Sequence, residues 1–135
     1  MGEGTKIGRA RSELLTALAI LFLSVSFGAC DRREEPIGTF VAGGDPERGR
    51  EAVKRYGCGS CHVIPGIEGA NGLVGPPLSG IASRVYIAGI LTNTPENLVR
   101  WIQDPPAIDP LTAMPNTAVT EEDARHLASF LYTLR

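Results

Sequence analysis

An all-α domain is what this sequence predicts, on three observations. Two helices open on the same device, an N-cap residue followed by proline, at Asp45-Pro46 and Thr94-Pro95. A third apolar face recurs at helical spacing near the C-terminus. The stretches between are rich in Gly and Pro, above all PGIEGANGLVGPPLSG (65–80), and none alternates as a half-buried strand would.

Taken in order, residues 1–29 stand apart. Lys6, Arg9 and Arg11 precede LLTALAILFLSVSFGA, a run without charge that ends in small residues. That is the layout of an export signal, and the run is shorter than the roughly 20 residues a bilayer-spanning helix needs. Without this segment the 13 basic and 15 acidic side chains lose three and two, leaving 10 and 13 and a net charge of −3. Mild acidity gives no footprint for nucleic acid. Residues 30–43, charged and then Gly-rich without a period, read as a linker. The folded domain is expected from Gly44 or Asp45 to the end, about ninety residues, small enough to need a staple.

The first helix should run from Asp45 to Tyr56 or Gly57. A shorter one is expected over Ile81 to Leu91. Leu98, Trp101 and Ile102 then fall at i, i+3, i+4 until Asp104-Pro105-Pro106 stops that helix. Thr120 caps the last, with Glu121, Glu122 and Asp123 in its first turn, where the helix dipole favours them. Its apolar face is Leu127, Phe130, Leu131 and Leu134.

The chemistry lies in GCGSCH, residues 57–62. Outside the cytoplasm Cys58 and Cys61 could form a disulfide. A structural zinc site wants four ligands in close pairs, and only His62 and His126 remain as nitrogen donors. A redox pair of the thioredoxin kind belongs beside a βαβ pattern, and here a helix leads in. C-x-x-C-H fits covalent haem attachment directly, with His62 presented to the iron. A cytochrome iron held by His takes Met as its second ligand, and the one methionine after the initiator is Met114, in a Pro-bounded loop. His126 has polar neighbours and reads as a surface bystander.

From Gly44 to Leu134 the chain resembles the class I (mitochondrial-type) c-type cytochromes, in particular the small bacterial monohaem kind. The resemblance rests on GDPERGREAV, CGSCH, GPPLSG, ENLVRWIQDP, AMPN and TEEDARHLASFLYTL, in that order. It implies three main helices and a short one wrapped around one haem c, bound by Cys58 and Cys61, with His62 and Met114 as axial ligands. It further implies that the Pro76 carbonyl accepts the His62 Nδ1–H, that Gly49 and Phe130 mark a close helix crossing, and that Trp101 packs on the haem. Arg84 is a candidate partner for a haem propionate. The expected function is single-electron transfer between redox proteins of a respiratory or photosynthetic chain, without catalysis or a small-molecule substrate. A fixed subunit of a dehydrogenase or oxidase is the alternative. A peroxidase or gas sensor would need a distal acid–base group, for which that segment offers only Asp109.

SVSFGAC, ending at Cys30, resembles the lipobox of bacterial lipoproteins. That implies a lipid on Cys30 and a domain tethered to a membrane on the periplasmic side. Ordinary cleavage after Gly28 and an uncleaved anchor are the competing readings.

Overall fold

The computed structural model describes residues 41–135, so the export-signal and Cys30 readings lie outside the described residues. The elements run α1 (Pro46–Arg55), a 3-10 turn (Cys58–Ser60), a second (Ile81–Ser83), β1 (Tyr86–Ile87), β2 (Leu91–Thr92), α2 (Pro95–Gln103), α3 (Pro105–Ile108) and α4 (Glu121–Leu131). The all-α class holds, with one two-stranded ribbon added to it.

The caps work as their residue types dictate. The Asp45 carboxylate accepts from the amides of Glu47 (2.9 Å) and Arg48 (3.3 Å), and Pro46 spends no donor at the first helical position. Thr94 and Thr120 cap α2 and α4 through their hydroxyls, accepting from Asn97 and Asp123. The helix expected over 81–91 is not formed. A single 3-10 turn follows Gly80 and ends at extended Arg84 (φ −77°, ψ 143°), and Ala88 and Gly89, with φ of 50° and 77°, make the tight turn that returns β1 onto β2. The short helix of the fold is instead α3, which Pro105 and Pro106 begin where α2 stops.

α1 and α4 cross at Gly49. A Cβ there would stand 2.7 Å from the Phe130 Cβ and closer still to the His126 carbonyl oxygen, so only glycine admits the contact. Val53 and Phe130 are almost fully buried beside it, as is Leu98 from α2. Val41 also belongs to the core, so packing starts upstream of the boundary expected at Gly44. His126 corrects the sequence reading: it is 3% exposed, and its Nδ1 accepts from the Asp45 amide at 2.9 Å. A surface bystander it is not, because the approach at Gly49 roofs over a helix face whose neighbours are polar. Leu134 lies beyond α4, half-buried against the core, and its carbonyl accepts from the Ala82 amide at 3.3 Å.

Candidate functional site

The helices leave a cavity of about 330 Å³ between them. Val53 of α1, Leu98 and Ile102 of α2, and Leu127 and Leu131 of α4 give it apolar walls. Seven residues singled out in the sequence line it together: Cys58, Cys61, His62, Pro76, Arg84, Trp101 and Met114. His126 and Asp109 do not. Asp109 turns its carboxylate onto the Leu111 amide at 3.0 Å.

The thiol-bearing loop is fixed by its backbone. Gly57, at φ 68°, reverses the chain out of α1. The amides of Cys61 and His62 both return to the Cys58 carbonyl, at 3.3 and 3.0 Å. A second loop wraps this one closely. The Gly72 amide donates to the Gly59 carbonyl at 3.1 Å, and the Gly75 amide to the Cys61 carbonyl at 2.8 Å. A Cβ on Gly72 would meet the Ser60–Cys61 backbone, and one on Gly59 would stand 2.7 Å from the Ala70 Cβ. Cys58 and Cys61 are half-buried and not joined to each other. Burial pushes the Cys58 thiol up, its own backbone hydrogen bond opposes this, and the neighbouring Cys61 adds to the rise.

His62 is oriented by Pro76, whose carbonyl lies 2.7 Å from Nδ1. A carbonyl only accepts, so the proton sits on Nδ1 and Nε2 keeps its lone pair. Gly75 packs on the ring: a Cβ there would stand 2.6 Å from Nδ1 and 2.9 Å from Nε2. Met114 is half-buried at the cavity wall, its amide donating to the Thr112 hydroxyl at 3.2 Å. Trp101 is buried and lines the cavity. Arg84 lines it too, but its Nη2 donates to the carbonyls of Pro77 (2.5 Å) and Ser79 (3.1 Å). Sequence reasoning missed Asn93, whose side-chain nitrogen donates to the Arg84 backbone carbonyl at 2.8 Å. No local pattern marks it, since its partners come from distant segments. Among the described residues, no three His, Cys, Asp or Glu side chains gather as a metal cluster, which leaves the zinc reading without a ligand set.

Two thiols on one turn, an imidazole with Nε2 unengaged, a thioether and apolar walls fit a haem far better than any polar ligand. Such a site on such a helical frame defines a c-type haem protein. The chain belongs to the cytochrome c family, whose model matches residues 46–135. It is an electron-transfer cytochrome with covalently bound haem c. It is similar to cytochrome c oxidase subunit 2 of Alkalihalophilus pseudofirmus, 33% identical over 103 residues, 76% of this chain and 28% of that one. The same subunit of Bacillus sp. (strain PS3) is 33% identical over 89 residues, 63% of this chain and 25% of that one. That of Bacillus subtilis is 30% identical over 88 residues, 64% and 25%. This chain thus spans about a quarter of the length of the relatives it matches.

Proposed function

We propose that the chain is a single-haem carrier passing one electron at a time between membrane redox complexes, with a terminal oxidase as acceptor. One observation carries it: His62 and Met114 line the same apolar cavity as Cys58 and Cys61. When bound, haem c supplies an iron that alternates between the ferric and ferrous states. Cys58 and Cys61 hold the group as thioethers. His62 offers Nε2 to the metal, and Pro76 fixes that tautomer. Met114 offers its sulfur, a soft neutral donor that favours the reduced state and raises the potential. Trp101 and the apolar helix faces keep water out, in the same direction. With His62 and Met114 both holding the iron, the group would have no place left for oxygen or peroxide. That weighs against the peroxidase and sensor readings, as does the engagement of the Asp109 carboxylate by the Leu111 amide, outside the cavity lining.

The acceptor is proposed from the relatives, which are oxidase subunits by name. The same names favour a second reading, in which this domain is a fixed part of an oxidase complex. Co-purification from native membranes separates the two: a fixed subunit stays with oxidase activity through detergent extraction, and a mobile carrier does not. The ligand assignment is tested by carbon monoxide. The ferrous protein should not bind it, and Met114→Ala should bind it readily. Rapid binding by the native protein would replace this reading with the sensor or peroxidase one.

A further inference from the structure

Pro76 and Pro77 have no amide hydrogens, so neither can anchor itself to the fold as a backbone donor. Their segment is gripped by its carbonyls. The Pro76 carbonyl lies 2.7 Å from His62 Nδ1, and the next carbonyl, that of Pro77, accepts from Arg84. Arg84 also takes the Ser79 carbonyl, so one guanidinium brackets the chain just beyond the histidine's partner. The flanking amides of Gly75 and Leu78 tie to the carbonyls of Cys61 and Val63, at 2.8 and 2.9 Å. They fix the ends of the segment, and Arg84 holds the Pro77 and Ser79 carbonyls beside the one that faces His62.

Arg84 is itself held. The Asn93 amide nitrogen donates to the Arg84 and Ile81 carbonyls, both at 2.8 Å, and the Asn93 side-chain oxygen accepts from the Tyr132 hydroxyl at 2.8 Å. Every hydrogen-bonding group of that side-chain amide is engaged except one lone pair. Tyr132 follows α4 directly and is buried. Hydrogen bonds therefore run from Tyr132 through Asn93 to the Arg84 backbone, and from the Arg84 side chain to the Pro77 carbonyl, one residue from the Pro76 carbonyl that faces His62.

We propose that Arg84, held in turn by Asn93 and Tyr132, is a positioning residue for His62, fixing the Pro76 carbonyl that orients its imidazole. The proposal rests on the reading of His62 as an axial ligand. A firm bond to Nδ1–H makes the ring a more basic donor and favours the ferric state. A loosened carbonyl should therefore raise the midpoint potential. A role as a bare positive charge needs neither the reach of the guanidinium to two carbonyls nor the hydroxyl of Tyr132.

The test uses nitrogen-15-labelled holoprotein, reading hydrogen exchange at His62 Nδ1–H by NMR together with the midpoint potential. Arg84→Gln should speed that exchange about tenfold or more, the scale of losing hydrogen bonds from a charged donor, and raise the potential. Arg84→Lys should move both readings in the direction of Arg84→Gln, because its ammonium ends one bond short of the Nη2 that donates to both carbonyls. Tyr132→Phe, a deletion of one hydroxyl, should change both readings in the same direction by less, and it decides the matter if Arg84→Gln does not fold. The amides of Val53 and Ala128 should exchange as in the parent. Arg84→Lys matching the parent in both readings would overturn the proposal in favour of a charge role. Unchanged Nδ1–H exchange in Tyr132→Phe and Arg84→Gln would overturn it in favour of the flanking amides. A native spectrum without histidine ligation would remove the underlying reading as well, whereas histidine ligation with unchanged exchange removes the proposal alone.

Discussion

Gly75 shows how much the site asks of a residue with no side chain. It donates to the Cys61 carbonyl and lies flat on the His62 ring, so a methyl group has nowhere to go but into the imidazole. Gly75→Ala should tilt His62 off Pro76, shifting the visible spectrum of the holoprotein if His62 holds the iron, and costing about 1–3 kcal/mol, the range for overpacking. A thermal midpoint equal to the parent's would show that the loop yields instead. Gly57→Ala serves as contrast, since open space surrounds its Cβ position and only the left-handed backbone resists. At this scale the sequence was legible where chemistry is contiguous. Cys58, Cys61 and His62 announce themselves within one short motif. Pro76 came through resemblance, because nothing local ties a proline to a distant histidine, whereas Met114 was found as the one methionine after the initiator, in a Pro-bounded loop. Asn93 could not be read at all: its value lies in Ile81, Arg84 and Tyr132 converging on it. His126 was misread for the complementary reason, its polar neighbours being visible and the α1 backbone above it not.

Helix starts were legible because caps are local, and Asp45, Thr94 and Thr120 all cap as their residue types require. The ribbon was not, since strands of two residues are too short to establish an alternating period. Between α1 and α4 a row of polar clasps supports the glycine crossing. Arg48 meets Glu122 at 2.8 Å, Arg55 meets Asp123 at 2.6 Å, and the Tyr56 hydroxyl donates to Asp123 at 2.7 Å. The hydrogen bond from Tyr56, with Arg55 adding to it, holds the Asp123 carboxyl below its ordinary range, and Arg48 does the same for Glu122. A depressed folded value means that this stabilisation is complete above the unfolded pKa, about 4 for a carboxyl. It is lost as the pH falls through the lower folded values. Asp123→Asn should therefore melt below the parent near neutral pH and converge on it in acid, as the parent's carboxyl takes up its proton. Parallel melting curves across that range would remove Asp123 from the acid response. Gly49→Ala, in contrast, should destabilise at every pH, by about 1–3 kcal/mol or more, because backbone meets backbone there.

For the whole molecule, the cavity makes folding and haem capture one problem. A domain this small buries a modest core, and here three helices turn apolar faces toward the haem cavity rather than only toward each other. Cys58→Ser with Cys61→Ser should leave the chain unfolded or degraded, because what binds only the folded state stabilises it. A stable haem-free domain with native helix content would show that the helices suffice alone. The N-terminal end poses the remaining question at this scale, how the electron-transfer domain would be kept near redox partners. If Cys30 bears the lipid, Val41 in the core sets the far end of the tether, since packing has begun by that residue. Cys30 to Val41 spans at most about 40 Å fully extended, from roughly 3.3–3.6 Å per residue. That is shorter than a linker running to Gly43 would allow, and it confines the haem domain to a shell close above the membrane. A single acyl chain anchors only marginally, so stable attachment requires two or more on the modified terminus. Intact mass of the mature protein is the measurement, with a chain that begins at Cys30 and carries diacylglycerol as the expected result. Cys30→Ser should abolish acyl labelling and leave the visible spectrum unchanged. A mature chain starting at Ala29 or Met1 would end the tether argument and leave the haem domain as described.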